Sequence, residues 1–210
     1  MPLQPPPADV AGFPARRSTP ALRTLYRIFS MRGRDGSARS VWHFTSGANR
    51  FDVDPPHGTC YWSDRRYGAW VEVFRGAKLV DVADASRRRI CTGSAPALRL
   101  ANLLSRRAYL YGVTAAVSTQ PDYVIPQQWA KVLLANGFSG VVGTCSHDPS
   151  STALNVAVFG RAGTPRTQAG WRTTVARLET DPLLLAELAS LGVHVATVPF
   201  SVPITPPPSA

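Results

Sequence analysis

Lysine is nearly missing from this chain: Lys78 and Lys131 are the two copies in 210 residues. Acids are sparse too, 13 against 23 basic side chains, so arginine carries almost all of the +10 net charge. A charge of that size favours anionic partners: nucleotides, nucleic acid or an acidic protein. So few acids argue against hydrolysis by a pair of carboxylates. Three cysteines, Cys60, Cys91 and Cys145, and four histidines form no metal-like spacing, so no metal is expected. The apolar surroundings of the cysteines point to buried free thiols. No apolar stretch approaches the roughly 20 residues that span a bilayer. The N-terminus lacks the apolar run of a signal peptide. A soluble, cytoplasmic protein without a membrane partner is expected. There is no Walker loop, and Gly137, Gly140 and Gly143 have the wrong spacing for a dinucleotide fingerprint.

What is present suits one domain with a sizeable core. Many of the 19 prolines collect at the two ends, in Pro5-Pro6-Pro7 and between Pro203 and Pro208. Residues 1–20 therefore read as a disordered Pro/Arg-rich arm, 21–200 as the folded domain and 201–210 as a flexible tail. Strands are expected at 22–29, 41–44, 59–62, 78–82, 140–145, 153–159 and 193–200. Helices are expected from Asp64 or Arg65 to Arg75, over 96–110 and 126–136, and from Asp181-Pro182 to Gly192. In the first helix Tyr67, Trp70, Val71 and Phe74 share one face, the expected core face. Glu72 lies about 100° round from Val71, free to face a cleft or solvent. Helices and strands mix without regular βαβ alternation, which favours an α+β fold over a doubly wound sheet.

Chemistry-bearing residues fall in three islands. The first is Arg27, in Leu25-Tyr26-Arg27-Ile28-Phe29, inside an apolar strand where a buried charge demands a partner. The second runs from Asn49-Arg50-Phe51-Asp52 through Gly58 and Tyr61 to Glu72. The third runs from Gly140-Val141-Val142-Gly143-Thr144-Cys145-Ser146 to Ala157-Val158-Phe159-Gly160. His147 beside Ser146 suggests a nucleophile and base, but neighbours on a strand point to opposite faces.

Tyr26-Arg27, Asn49-Arg50-Phe51-Asp52, Gly58, Tyr61, Glu72, Gly140-Val141-Val142 and Ser146 resemble the RES domain family, named for its arginine, glutamate and serine. Pro126-Gln127-Gln128-Trp129-Ala130 and Ala157-Val158-Phe159-Gly160 are similar to its pattern as well. The likeness covers residues 22–160. Two departures stand out: His147-Asp148 follows Ser146 where the family commonly has an arginine, and Trp62-Ser63 stands where a small apolar residue is usual. The resemblance implies an ADP-ribosyltransferase-like fold with a split, mostly antiparallel sheet core, flanking helices and a nicotinamide-dinucleotide cleft. It also implies the toxin of a toxin–antitoxin system. Such a toxin depletes NAD as a glycohydrolase or, with phosphate in place of water, as a phosphorylase. NAD is then substrate, not cofactor. A cognate helix-turn-helix antitoxin would be the partner, in a hetero-oligomer.

Residue chemistry agrees with that implication. Breaking the nicotinamide–ribose bond develops positive charge on the ribose, which one carboxylate, Glu72, can stabilise while holding the 2′-hydroxyl. Arg27 and Arg50 suit the diphosphate, because a guanidinium fork matches two phosphate oxygens. Tyr61 can stack on the nicotinamide ring. Ser146 can hydrogen-bond the amide or ribose. Glu72, Arg27 and Ser146 are thus the catalytic candidates, and Arg27, Arg50, Tyr61 and Ser146 the substrate-binding ones. One alternative is an ADP-ribosyltransferase that modifies a protein or nucleic acid. The other is a basic nucleic-acid-binding module without turnover, ranked last because no aromatic-interleaved basic stripe is present.

Overall fold

In a computed structural model of the protein, residues 3–17, 24–33 and 35–198 are described. In chain order the elements are β1 (Ala15–Arg17), β2 (Thr24–Ser30), β3 (His57–Ser63), α1 (Arg66–Phe74), β4 (Leu79–Asp81), α2 (Val82–Ser86) and β5 (Arg88–Ser94). There follow β6 (Arg99–Asn102), a 3-10 turn (Arg106–Tyr111), α3 (Ala116–Thr119), α4 (Val124–Ala135), β7 (Gly140–Thr144), β8 (Leu154–Arg161) and β9 (Arg172–Arg177). A second 3-10 turn (Leu178–Thr180), α5 (Pro182–Ser190) and β10 (His194–Ala196) complete the chain.

Eight strands form one sheet in the order β1-β6-β7-β8-β3-β2-β5-β9, antiparallel throughout except where β6 runs parallel to β7. β4 and β10 make a separate parallel pair. The fold is α+β, as the residue pattern predicts, with the mostly antiparallel sheet that the resemblance implies. The sheet is also split. β3 pairs with β8 from His57↔Arg161 to Ser63↔Asn155, and β2 with β5 from Thr24↔Ser94 to Ser30↔Arg88. Between β2 and β3 the sole register pair is Tyr26↔Ser63. Beyond it the two halves part, and the opening becomes a cleft.

Two glycines explain how the chain reaches this opening. Gly58 and Gly160 sit opposite each other on β3 and β8. A Cβ on Gly160 would lie 2.5 Å from the Phe44 ring, and one on Gly58 would lie 3.0 Å from Phe44 Cβ. With no side chain there, Phe44 and Thr45 cross the strands, bridging to Gly163 and Thr59. Trp42, Phe44, Trp62 and Trp171 then pack ring on ring beside the crossing. The short strand expected at 41–44 is realised only as these isolated bridges, because the segment crosses the sheet instead of joining it.

Several expectations need correction. Residues 3–17 are no disordered arm: Leu3, Val10 and Phe13 are buried, and β1 pairs with β6. Phe13 packs against Tyr111, Trp129 and Phe138, and the Trp129 indole donates to Gln4 O at 2.9 Å. Three apolar anchors suffice to hold a proline-rich segment. The helix expected over 96–110 is replaced by β6 and a 3-10 turn. Leu100 and Ala101 are both buried, and pairing of β6 between β1 and β7 overrides their helix preference. β5 and β9 carry no alternating apolar signal and escape the pattern reading. Helix α1 ends at Phe74, one residue short of the expected Arg75, which instead caps it in the left-handed region at φ 51°. The tail 201–210, the last residues of the 193–200 strand and the first of the 22–29 strand lie outside the described residues. No helix among the described residues is long and apolar enough to cross a membrane.

Candidate active site

The cleft at the split encloses about 330 Å³ and is lined by Arg27, Arg50, Tyr61, Glu72 and Ser146 together. These residues come from β2, the crossing segment, β3, α1 and the loop after β7. Among the described residues lining it, Glu72 is the one carboxylate, set against the arginines Arg27, Arg39, Arg50 and Arg75.

Glu72 is aimed by packing on the opposite side of its helix. The stripe Tyr67, Trp70, Val71 and Phe74 sinks into the core, as its spacing predicts, together with Leu184 and Leu188 of α5. Gly68 lets α1 approach closely, since a Cβ there would collide with the Ser63 hydroxyl and Ala153. Glu72 then points away from the core toward the end of β7. Its Oε1 accepts a 2.6 Å hydrogen bond from the Ser146 amide, and its Oε2 lies 3.8 Å from His147 Nδ1. The Ser146 hydroxyl donates to Ser118 O at 2.7 Å, so its single proton is committed and it faces a ligand only as an acceptor. His147 therefore serves no Ser146 nucleophile; it faces Glu72.

Asp148 pins this loop. Its carboxylate accepts from the amides of Ser150, Thr152 and Ala153 and from the Ser150 hydroxyl. Burial pushes the Asp148 carboxyl up, but those hydrogen bonds together hold it below the ordinary carboxylate value. The same device orders the second island. Asp52 is fully buried and accepts from the Ala48 and Asn49 amides, the Thr45 hydroxyl, the Asn49 side chain and the Tyr61 hydroxyl. Asp52 is thus a structural acid that holds Asn49 and Arg50 at the rim.

Tyr61 bridges this loop and the strand, donating to Asp52 Oδ1 at 2.8 Å and accepting from the Phe51 amide at 2.9 Å. Burial, reinforced by Asp52, pushes its phenol well above the ordinary value, so it stays neutral. Arg50 donates to Gln120 O at 2.6 Å and lies 4.7 Å over the Tyr123 ring. Burial lowers its pKa while Tyr123, Glu72 and Tyr61 act in the opposite direction. Arg27 donates to Tyr61 O at 2.8 Å and Cys60 Sγ at 3.1 Å. No ion pair among the described residues includes it. The internal acid that a buried arginine would demand is absent there. Cys60, Cys91 and Cys145 are free and buried; burial pushes Cys91 up to about 12 and raises the other two as well, so all three are protonated.

Arg39, His43, Arg75 and Tyr123 also line the cleft and carry no motif that would single them out in the sequence. Among the described residues, no group of three or more His, Cys, Asp or Glu side chains is placed to hold a metal.

A mostly antiparallel sheet, split over a cleft with one acid among arginines, defines the class. The RES domain matches residues 24–178, and the chain belongs to the RES domain family. A search among curated proteins finds no match. Among solved structures, a chain of the M. tuberculosis MbcT–MbcA toxin–antitoxin complex is similar, with a TM-score of 0.51 and 19% identity. That likeness covers 80% of this chain and 89% of the other, and it bears on the fold.

Proposed function

We propose that this protein is a toxin that depletes NAD by cleaving its nicotinamide–ribose bond. The observation that carries the reading is the single carboxylate, Glu72, facing a cleft whose lining includes four arginines and several aromatics. Nicotinamide leaves with the electron pair of the C1′–N bond, and the ribose becomes oxocarbenium-like. Glu72, held by the Ser146 amide, stabilises that charge and accepts the 2′-hydroxyl hydrogen bond. Water then adds through oxygen to C1′ and releases a proton, giving ADP-ribose; inorganic phosphate in its place gives the 1″-phosphate. Arg27 and Arg50 bind the diphosphate, and Tyr61 presents its ring to nicotinamide while its hydroxyl stays bonded to Asp52. Ser146 acts chiefly through its amide, by orienting Glu72.

A toxin role is supported by the family and by the toxin–antitoxin complex from which the similar solved chain comes. The partner would be a helix-turn-helix antitoxin that covers the cleft, with an acidic segment suited to the +10 net charge. Cytoplasmic NAD would be the target. Incubating the protein with NAD labelled in its adenosine moiety, with and without phosphate, tests the reaction. Free labelled ADP-ribose or its 1″-phosphate is expected. Label retained on a protein or nucleic acid would instead make the chain a transferase, and intact NAD would overturn the proposal.

A further inference from the structure

Arg39 and His43 have no part in the reading above, yet both face the cleft with Arg27. Arg39 comes from the glycine-containing loop after β2, and its amide donates to Met31 O. Its Nε is buried without a hydrogen-bond partner, and the same holds for the Nε of Arg27. No ion pair among the described residues includes either. His43 stands near both: its Nδ1 lies 3.2 Å from Thr164 Oγ1 and its carbonyl faces Arg27 Nη2 at 3.5 Å. Burial lowers the His43 pKa, and Arg39 and then Arg27 push it the same way, which puts both guanidinium groups within electrostatic reach of the ring.

The carboxylates that act on this group are already engaged. Asp35 is bonded to the Ser37 hydroxyl and amide, and Asp52 accepts from the loop it organises. Two guanidinium groups with buried, unpaired nitrogens are costly unless an anion meets them.

We infer that Arg39, with Arg27 and His43, forms an anion subsite in this cleft, taking a phosphate group of the dinucleotide. The inference rests on the proposed NAD cleavage for the identity of the ligand. It adds a binding residue and a requirement: the substrate carries phosphate at a distance from the bond that breaks. Two phosphates have that chemistry, the diphosphate bridge and the 2′-phosphate of a phosphorylated dinucleotide.

Calorimetric titration of the intact protein with ADP, which carries the bridge, and with 2′-AMP, which carries the other phosphate, separates them. Arg39→Ala is expected to weaken one of the two by about tenfold, the loss typical of a hydrogen-bonded charge pair. Arg39→Lys, which keeps the charge without the fork, should lose less. A loss with ADP assigns the subsite to the bridge, and a loss with 2′-AMP alone assigns it to the 2′-phosphate. Unchanged affinity for both in Arg39→Ala, with its thermal unfolding also unchanged, overturns the inference. Should Arg39→Ala fail to fold, unchanged affinities in Arg39→Lys overturn it equally. In NAD turnover the expected signature is a raised KM with kcat nearly constant. Binding of ADP needs no turnover, so this result stands apart from whether Glu72 is the catalytic carboxylate.

Discussion

Two sets of polar groups in the cleft are built differently. Around Glu72 the polar groups are engaged: one carboxylate oxygen takes the Ser146 amide, the Ser146 hydroxyl takes Ser118 O, and Asp148 holds the loop beneath. In Arg27 and Arg39, the Nε atoms remain buried and unpaired. The first arrangement resembles a finished machine part, fixed before any ligand arrives, which is what stabilising a transient charge requires. The second resembles half of an interaction, with the missing half an anion. On the proposed reading, the protein orients the carboxylate and the ligand orients the arginines.

The sharpest way to break this contrast is at Glu72. Glu72→Gln keeps the shape and can still accept from the Ser146 amide, but removes the charge. Cleavage of NAD should fall about a hundredfold to a thousandfold with unfolding temperature unchanged. Cleavage at the parental rate would remove Glu72 from the mechanism.

Next comes the acid that shapes the rim. Asp52→Ala strands several buried donors and should cost about 2–3 kcal/mol of stability in denaturant titration. Arg50 would be misplaced along with the loop, so affinity for ADP should fall in the same variant. Unaltered stability would mean that the loop is held by something other than Asp52.

A smaller effect is expected at Asp148. Asp148→Asn should cost about 1–2 kcal/mol by weakening its charge-assisted hydrogen bonds. The folded state holds this carboxyl below its ordinary value. Its stabilisation is therefore complete at neutral pH and fades as pH falls through the ordinary carboxylate value toward the depressed one. Stability measured across that acid range should fall less steeply in Asp148→Asn than in the parent.

The mildest change should be Ser146→Ala. The amide, not the hydroxyl, holds Glu72, so kcat should drop less than about tenfold, the scale of one neutral hydrogen bond. Ser146→Pro, which removes that amide hydrogen, should lose far more. A Ser146→Ala variant as inactive as Glu72→Gln would return a direct catalytic role to the hydroxyl.

Much of this was legible from residue order. The α1 stripe at three- and four-residue spacing predicted both the buried face and the freedom of Glu72 to face elsewhere, since a helix has a fixed angular period. Arg27, Arg50, Tyr61, Glu72 and Ser146 were singled out through the motifs that surround them. The β6 strand was not legible, because Leu, Ala and Arg favour helix until β1 and β7 offer their edges. Arg39 was equally hidden, as a polar loop has no period to say which way it faces, and His43 because the expected 41–44 strand crosses the sheet through isolated bridges. The packed N-terminal segment was masked by proline content that usually marks disorder.

By itself the sequence determined the family, the α+β mixture and the side-chain types available for chemistry, because local spacing and motif order are written along the chain. Only the tertiary structure decided that the sheet parts beyond Tyr26 and Ser63, that Asp52 is structural while Glu72 faces the opening, and that the Nε atoms of Arg27 and Arg39 are buried without hydrogen-bond partners. The physical reason is that strand pairing and burial join residues far apart in the chain, and no short stretch records which partner it will meet.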